Sequence, residues 1–103
     1  MRIRELLAVE SIDLNAKAAN KKEALDHAVD LMARSGKIGD VETYRNGVYA
    51  REEEGTTGIG EGIAIPHGKC DAVKKPGLAA MVIPGGVDFD SLDGELVTLL
   101  FLI

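Results

Sequence analysis

Residues 58–68 read Gly-Ile-Gly-Glu-Gly-Ile-Ala-Ile-Pro-His-Gly, and the character of the chain changes at this stretch. Helical spacing dominates the sequence before it, and apolar runs typical of strands follow it. The recurring glycines indicate backbone that turns tightly or is approached closely by other groups. His67 lies between Pro66 and Gly68, where neither a helical nor a strand pattern fits. We therefore expect an irregular segment that presents a ring nitrogen of His67 to a partner surface.

Two helices are predicted before this stretch. Asn20 is placed to cap the first helix, Glu23 completes a capping box, and Gly36 stops the helix. Asp40 is placed to cap the second helix, which fades towards Gly55. The apolar positions at helical spacing are Ala24, Leu25, Ala28, Val29 and Met32 in the first, and Val41, Tyr44 and Val48 in the second.

Three segments predict strands: residues 6–14, 77–83 and 96–103. Pro84-Gly85-Gly86 is predicted to end the second strand, and Asp93-Gly94 to make a turn before the third. The third is an apolar run typical of a strand buried on both faces. Because the chain stops inside this run, we expect a fragment of a domain whose remaining portion would cover the strand.

Length and composition restrict the class of protein. The chain has 103 residues, 46% of them apolar and 28% charged, which is enough for one small folded domain. A net charge of −5 disfavours nucleic acid as the main partner, because phosphate backbones bind basic faces. Cys70 is the only cysteine, so no internal disulfide can form. The sequence shows neither a signal peptide nor an apolar run long enough to span a bilayer, and we expect a cytoplasmic protein.

His67 is the candidate for the reacting group. Imidazole is a competent nucleophile near neutral pH, and a phosphoryl group bound to its nitrogen is labile enough to be passed on. Arg51 is the candidate for gripping phosphate oxygens, Thr56 and Thr57 offer hydroxyl donors, and the glycine-rich backbone offers N–H groups. The plainer interpretations are a structural histidine, tight turns, and an arginine at a solvated helix end that pairs with nearby glutamates.

Residues 51–69, Arg-Glu-Glu-Glu-Gly-Thr-Thr-Gly-Ile-Gly-Glu-Gly-Ile-Ala-Ile-Pro-His-Gly-Lys, closely resemble the active-site signature of fructose/mannitol-type (type-2) EIIA domains of the sugar phosphotransferase system. The resemblance covers nearly the whole chain, residues 1–103, as a single domain incomplete at its C-terminus. It implies an α/β sandwich with a mixed β-sheet flanked by helices. It also implies a histidine phosphotransferase with no metal and no organic cofactor.

The resemblance further implies roles and partners. His67 accepts a phosphoryl group from the carrier protein HPr and passes it to a cysteine of an EIIB domain, which phosphorylates sugar entering through the membrane component EIIC. Arg51 matches the family's arginine near the phosphohistidine, and Glu61 matches a site glutamate. Gly68 follows the histidine in the motif and is expected in the phosphate environment. Glu61, where the nitrogen-regulatory branch tends to carry Asn, favours the fructose branch.

One departure and two rival functions accompany this interpretation. The family's second functional histidine lies beyond the last residue of this chain. A regulatory EIIA-like module, whose phosphorylation state controls a protein partner, would use the same His67. A metal-dependent hydrolase is disfavoured, because no second ligand stands at usual spacing from His67.

Three other sets of residues are expected to lie outside the site. His27 is predicted to be a solvated helix position, opposite the apolar face of the first helix. Residues 52–54, three glutamates, are predicted to form a solvated face. Cys70 is predicted to be an incidental small packing residue.

Overall fold

The computed structural model describes residues 3–68 and 77–103. In chain order its elements are α1 (Ile3–Leu6), β1 (Leu7–Asp13), α2 (Lys21–Ala33), α3 (Val41–Glu54), β2 (Gly58–Gly60), β3 (Ile63–Ala64), β4 (Leu78–Val87) and β5 (Val97–Leu102). Cys70 lies outside the described residues, and so does Lys69 of the signature stretch.

The strands form one mixed five-stranded sheet in the order β1-β4-β5-β3-β2. β1 is parallel to β4, and β3 is parallel to β5. β4 and β5 are antiparallel, as are β2 and β3. The expected α/β architecture with a mixed sheet and flanking helices is confirmed. Both edges of β5 are paired, so this apolar strand presents no free edge to solvent.

Both long helices begin where their caps were predicted. The Asn20 side chain accepts a hydrogen bond from the Glu23 amide at 2.9 Å, and the Glu23 carboxylate accepts one from the Ala19 amide at 3.2 Å. The Asp40 side chain accepts from the Thr43 amide at 3.2 Å. Each cap satisfies an amide that has no partner within its helix, which fixes the first turn.

The core lies between α2 and one face of the sheet. That face is buried along β4 and β5, whose facing positions pair in register, Met81 with Leu100 and Ala79 with Leu102. The apolar positions predicted for the first helix are all buried, as are Tyr44 and Val48 of the second. Arg45 of α3 ties the helices together through Asp26 at 3.1 Å and Asp30 at 2.6 Å.

Two strand predictions were wrong in detail. β4 does not end before Pro84-Gly85-Gly86, because it continues through them to Val87 with a shift of register between Val82 and Val87. An irregularity of this kind lets an exposed proline and two glycines remain within a strand. β5 is not buried on both faces: Leu100 and Leu102 are buried, but Leu99 and Phe101 on the opposite face are half-buried. Within residues 3–68 and 77–103, no helix combines the length and apolarity needed to cross a bilayer.

Candidate functional site

The backbone on both sides of His67 is fixed to the end of β5. The Ile103 amide donates to the Pro66 carbonyl at 3.0 Å, and the Ile103 carbonyl accepts from the Gly68 amide at 3.0 Å. One residue earlier, the Ile65 amide donates to the Thr57 carbonyl at 3.0 Å. His67 itself is exposed, while its neighbours Pro66 and Gly68 are buried. The imidazole is therefore carried to the surface on a backbone that has little freedom to move.

Gly68 is required at its position by close packing against α3. A Cβ at residue 68 would overlap the Tyr44 ring and come within 2.6 Å of Val48 Cγ2. Real Cβ atoms do not approach neighbours so closely, so only glycine lets the histidine segment lie against this helix. The glycine after His67 thus has a packing role that the signature alone does not reveal.

Arg51 lies in the last turn of α3, on the helix face that continues from Tyr44 and Val48. The residue is half-buried, and its guanidinium donates from Nη1 to the Gly55 carbonyl at 3.0 Å in an exposed hydrogen bond. Among the residues described, none of the nearby glutamates forms an ion pair with it, contrary to the plainer interpretation. The contact with Gly55 holds the side chain where α3 passes into the glycine-rich stretch.

Glu61 occupies the turn between β2 and β3 with a positive φ of 57°. Its amide donates to Asp93 Oδ2 at 2.9 Å, and Asp93 Oδ1 accepts from the Glu95 amide at 3.0 Å. These amide hydrogen bonds, that of Glu61 first, lower the pKa of Asp93 below its ordinary value. The turn is thus held by an ionised carboxylate, while the Glu61 side chain itself is exposed.

The two threonine hydroxyls are engaged within the protein. Thr56 Oγ1 donates to the Phe89 carbonyl at 2.8 Å and accepts from the Gly58 amide at 3.1 Å. Thr57 Oγ1 donates to Glu52 Oε1 at 2.6 Å. Each hydroxyl carries a single proton, and in this arrangement both protons are used to shape the turn after α3. A part for these groups in binding phosphate stays a prediction.

Glu52 does not belong to a solvated face, which corrects the prediction for residues 52–54. It is only 7% exposed, whereas Glu53 and Glu54 are exposed as expected. Its carboxylate accepts from Thr57 and forms an ion pair with Lys21 Nζ at 2.9 Å. The helical spacing could have predicted this burial, because Glu52 lies one turn after Val48 and two turns after Tyr44, which are both buried.

His27 is not a freely solvated helix position either. Its Nε2 lies 2.7 Å from Asp13 Oδ2, and both side chains are about two-thirds buried, with exposures of 30% and 31%. The hydrogen bond from the ring is the main reason why the pKa of Asp13 lies below its ordinary value. This contact joins α2 to the end of β1, which helical spacing alone could not indicate.

A groove of about 490 Å³ opens beside the start of α2 and the end of α3. Its lining residues are Lys21, Lys22, Leu25, Tyr49, Glu52 and Glu53. His67 is not among the residues that line this groove, and it is exposed at the surface. Within the described parts of the chain, no three His, Cys, Asp or Glu side chains are grouped so that they could hold a metal ion.

Residues 5–103 match the family model described as phosphoenolpyruvate-dependent sugar phosphotransferase system, EIIA 2. The fructose-specific EIIABC component of Bacillus subtilis is 41% identical over 103 residues, which are 100% of this chain and 16% of that protein. The fructose-specific EIIA component of Haloferax volcanii is 39% identical over 98% of this chain and 66% of its own length. The chain thus spans less than two-thirds of either relative.

Solved structures agree with these relatives. The nitrogen regulatory protein IIA-Ntr from Neisseria meningitidis superimposes with a TM-score of 0.87 at 34% identity, over 97% of this chain and 68% of that one. The enzyme IIA of the Escherichia coli mannitol system, solved in complex with phosphorylated enzyme IIB, gives a TM-score of 0.83 at 32% identity, over 95% of this chain and 70% of that one. This chain therefore belongs to the EIIA type-2 family of the phosphoenolpyruvate-dependent sugar phosphotransferase system.

Proposed function

We propose that this protein is a phosphoryl carrier of the sugar phosphotransferase system and that His67 bears the phosphoryl group. The observation that carries the proposal is the setting of His67, whose ring is exposed while Ile103 holds the backbone on both sides of it. A group that passes phosphate between two proteins must be reachable from outside and must stay in a fixed geometry. Both conditions are met at His67.

The transfer consists of two displacements at phosphorus. In the first, the lone pair of an unprotonated ring nitrogen of His67 attacks the phosphorus of a donor phosphohistidine. A new N–P bond forms as the donor's N–P bond breaks, and the donor imidazole leaves with the electron pair. In the second, a cysteine thiolate of the acceptor attacks the same phosphorus, and the His67 nitrogen leaves. No net proton or redox change is needed for either displacement.

The roles of the other site residues are assigned from the family signature. Arg51 stabilises the charge of the phosphoryl oxygens, since a guanidinium offers paired donors to them. Glu61 and the Gly68 segment complete the environment. Phosphoryl transfer needs mainly positioning and charge stabilisation. The hydrogen-bonded turns that carry these residues supply the positioning.

The partners proposed are HPr as donor and an EIIB domain as acceptor, with the membrane component EIIC acting indirectly. An EIIB partner is supported by the mannitol relative, which was solved together with phosphorylated enzyme IIB. A fructose-like sugar is supported by the names of the Bacillus and Haloferax relatives. A donor and an acceptor of this kind support the proposal of a cytoplasmic protein.

A regulatory role is the second candidate, in which the phosphorylation state of His67 controls a protein partner. The likeness to the IIA-Ntr structure of Neisseria favours it. Glu61 favours the sugar branch instead, because the nitrogen-regulatory branch tends to carry Asn there. Transfer onward from labelled protein to an EIIB domain distinguishes the two, since only the sugar-transport role requires it.

The decisive experiment supplies phosphoenolpyruvate, enzyme I and HPr to the parent protein, His67→Gln and His27→Gln. We expect an acid-labile phosphate on the parent and on His27→Gln, and none on His67→Gln. His27→Gln is the matched control, because it removes the other histidine of the chain. Label on His67→Gln, or on none of the three proteins, would contradict the proposal.

A further inference from the structure

We propose that Glu52 is a positioning residue for phosphoryl transfer, which fixes the His67 segment through Thr57. The inference rests on the proposed function and adds to it a residue that touches neither phosphate nor partner. The Glu52 carboxylate is buried at 7% exposure and accepts hydrogen bonds from two groups of Thr57 while pairing with Lys21. We call this arrangement of Lys21, Glu52 and Thr57 the clamp.

The clamp joins three separate parts of the fold at short distances. Glu52 Oε2 accepts from the Thr57 amide at 2.7 Å, and Oε1 accepts from the Thr57 hydroxyl at 2.6 Å. Lys21 Nζ, from the first turn of α2, lies 2.9 Å from Oε2. The end of α3 is thereby tied both to the start of α2 and to the start of the glycine-rich stretch.

Thr57 transmits this restraint to the histidine segment. Its carbonyl accepts from the Ile65 amide at 3.0 Å, and Ile65 is followed directly by Pro66 and His67. Two anchors therefore hold the segment, with Ile103 fixing it to β5 and Thr57 fixing it to the end of α3. Arg51 is adjacent to Glu52 on α3, so the same clamp fixes the turn of helix that carries the guanidinium.

Charge is needed in the clamp as well as shape. A buried carboxylate is tolerated only when it is paired and hydrogen-bonded, and Glu52 is both. Lys21 is itself held over the Phe89 ring, 4.7 Å from its centroid. Glutamine at residue 52 would retain one acceptor oxygen but would turn an amide NH₂ towards Thr57 or towards the Lys21 ammonium. At Thr57 the hydroxyl would have to accept a hydrogen bond instead of donating one. In either orientation Lys21 would lose the negative charge with which it pairs, so the clamp would be weakened without any change of size.

A small displacement is enough to slow the reaction. Group transfer depends on near-attack geometry, and a misplacement of about 1 Å can lower a rate by about a hundredfold. Since the Glu52 side chain lies inside the protein, opening the clamp should alter the rate within the complex rather than the binding of the donor. This separation gives the proposal a readout that a purely structural role would not move.

The experiment measures labelling of the protein by phospho-HPr under single-turnover conditions at increasing phospho-HPr concentration. The variants are Glu52→Gln, Thr57→Val and Thr57→Ser, with Glu53→Gln as the matched control on the neighbouring exposed carboxylate. All rates are measured at a temperature well below the thermal unfolding midpoint of each variant. We expect Glu52→Gln and Thr57→Val to lower the saturating rate by at least about tenfold, with half-saturation within about twofold of the parent. Thr57→Ser, which keeps the hydroxyl, should restore most of the rate, and Glu53→Gln should match the parent.

Each other outcome overturns the inference. Parent-like saturating rates in Glu52→Gln and Thr57→Val, even with lower unfolding midpoints, would show that the clamp serves stability alone. A rise of half-saturation with an unchanged saturating rate would assign Glu52 to donor binding. Absence of label on the parent would overturn the proposed function together with this inference, whereas label on the parent with equal rates in all variants would overturn this inference alone.

Discussion

The Gly68 amide donates to the Ile103 carbonyl at 3.0 Å, which fastens the histidine segment to β5 immediately after His67. A second hydrogen bond of Ile103, from its amide to the Pro66 carbonyl at 3.0 Å, fixes the backbone immediately before His67. Together they extend the parallel pairing of β3 with β5 past the end of β3. The position of His67 is thus set by a residue at the end of a strand that is distant in sequence, and its local geometry depends on Gly68.

Replacing Gly68 with alanine is expected to destabilise the protein and to displace His67. The new Cβ would overlap the Tyr44 ring and crowd Val48, and overpacking of this kind costs about 1–3 kcal/mol of unfolding free energy. Urea denaturation gives the stability, and labelling by phospho-HPr gives the function. Gly47→Ala is the control, because nothing lies within 4 Å of the added Cβ in α3 and alanine should stabilise a helix by about 0.5–1 kcal/mol. Equal stability of the parent and Gly68→Ala would contradict the packing argument.

Replacing Glu61 with asparagine tests two contributions of this residue separately, because the change suits the backbone conformation of the β2–β3 turn but removes the carboxylate charge. Glu61 has a φ of 57°, a region that asparagine adopts more readily than glutamate. We expect the free energy of unfolding to stay level or to rise by less than about 1 kcal/mol. Transfer from labelled protein to an EIIB domain should nevertheless fall, because the exposed carboxylate is lost. Unchanged transfer would remove Glu61 from the site.

Local chemistry made the helices predictable from sequence. The caps at Asn20 and Asp40 act within a few residues of themselves, so their residue types suffice to place both helix starts. Local chemistry also explains the wrong prediction at Pro84-Gly85-Gly86, because residues of these types break a strand considered in isolation. In the folded sheet Val87 pairs with Val97 beyond the irregularity, and that pairing depends on a distant strand.

The residues of the candidate site follow from the signature and stay a prediction, whereas the contacts that hold them in place could not be read from the sequence. His67, Arg51 and Glu61 stand in one continuous signature, and their types indicate the chemistry. The hydrogen bonds of Ile103 and of Asp93 come from segments far along the chain, so they depend on strand order. The burial of Glu52 and the pairing of His27 with Asp13 likewise require the packing of whole elements.

Asn20→Ala is expected to lower stability by about 1 kcal/mol, because the Glu23 amide loses its acceptor at the start of α2. Thermal or urea unfolding measures the change. Asn20→Asp is the matched control, since aspartate caps as well as asparagine and adds negative charge at a helix N-terminus. A loss in Asn20→Asp equal to that in Asn20→Ala would show that the cap is not the source of the effect.

Asp13→Asn tests the contact between β1 and α2 through its dependence on pH. The hydrogen bond from His27 is the largest cause that lowers the pKa of Asp13 from its ordinary value of 3.8. The unfolded chain then binds more protons than the folded one in this region, so the contribution of Asp13 is complete above pH 3.8 and is lost as the pH falls through the lower folded pKa. We expect the free energy of unfolding of the parent to exceed that of Asp13→Asn by about 0.5–1 kcal/mol near pH 6, and the difference to shrink in acid.

Glu10→Gln removes an exposed carboxylate on the same strand and is the control, and its free energy of unfolding should show no such difference from the parent at either pH. A gap between parent and Asp13→Asn that stays constant into acid would mean that the ionised carboxylate of Asp13 is not what joins the strand to the helix.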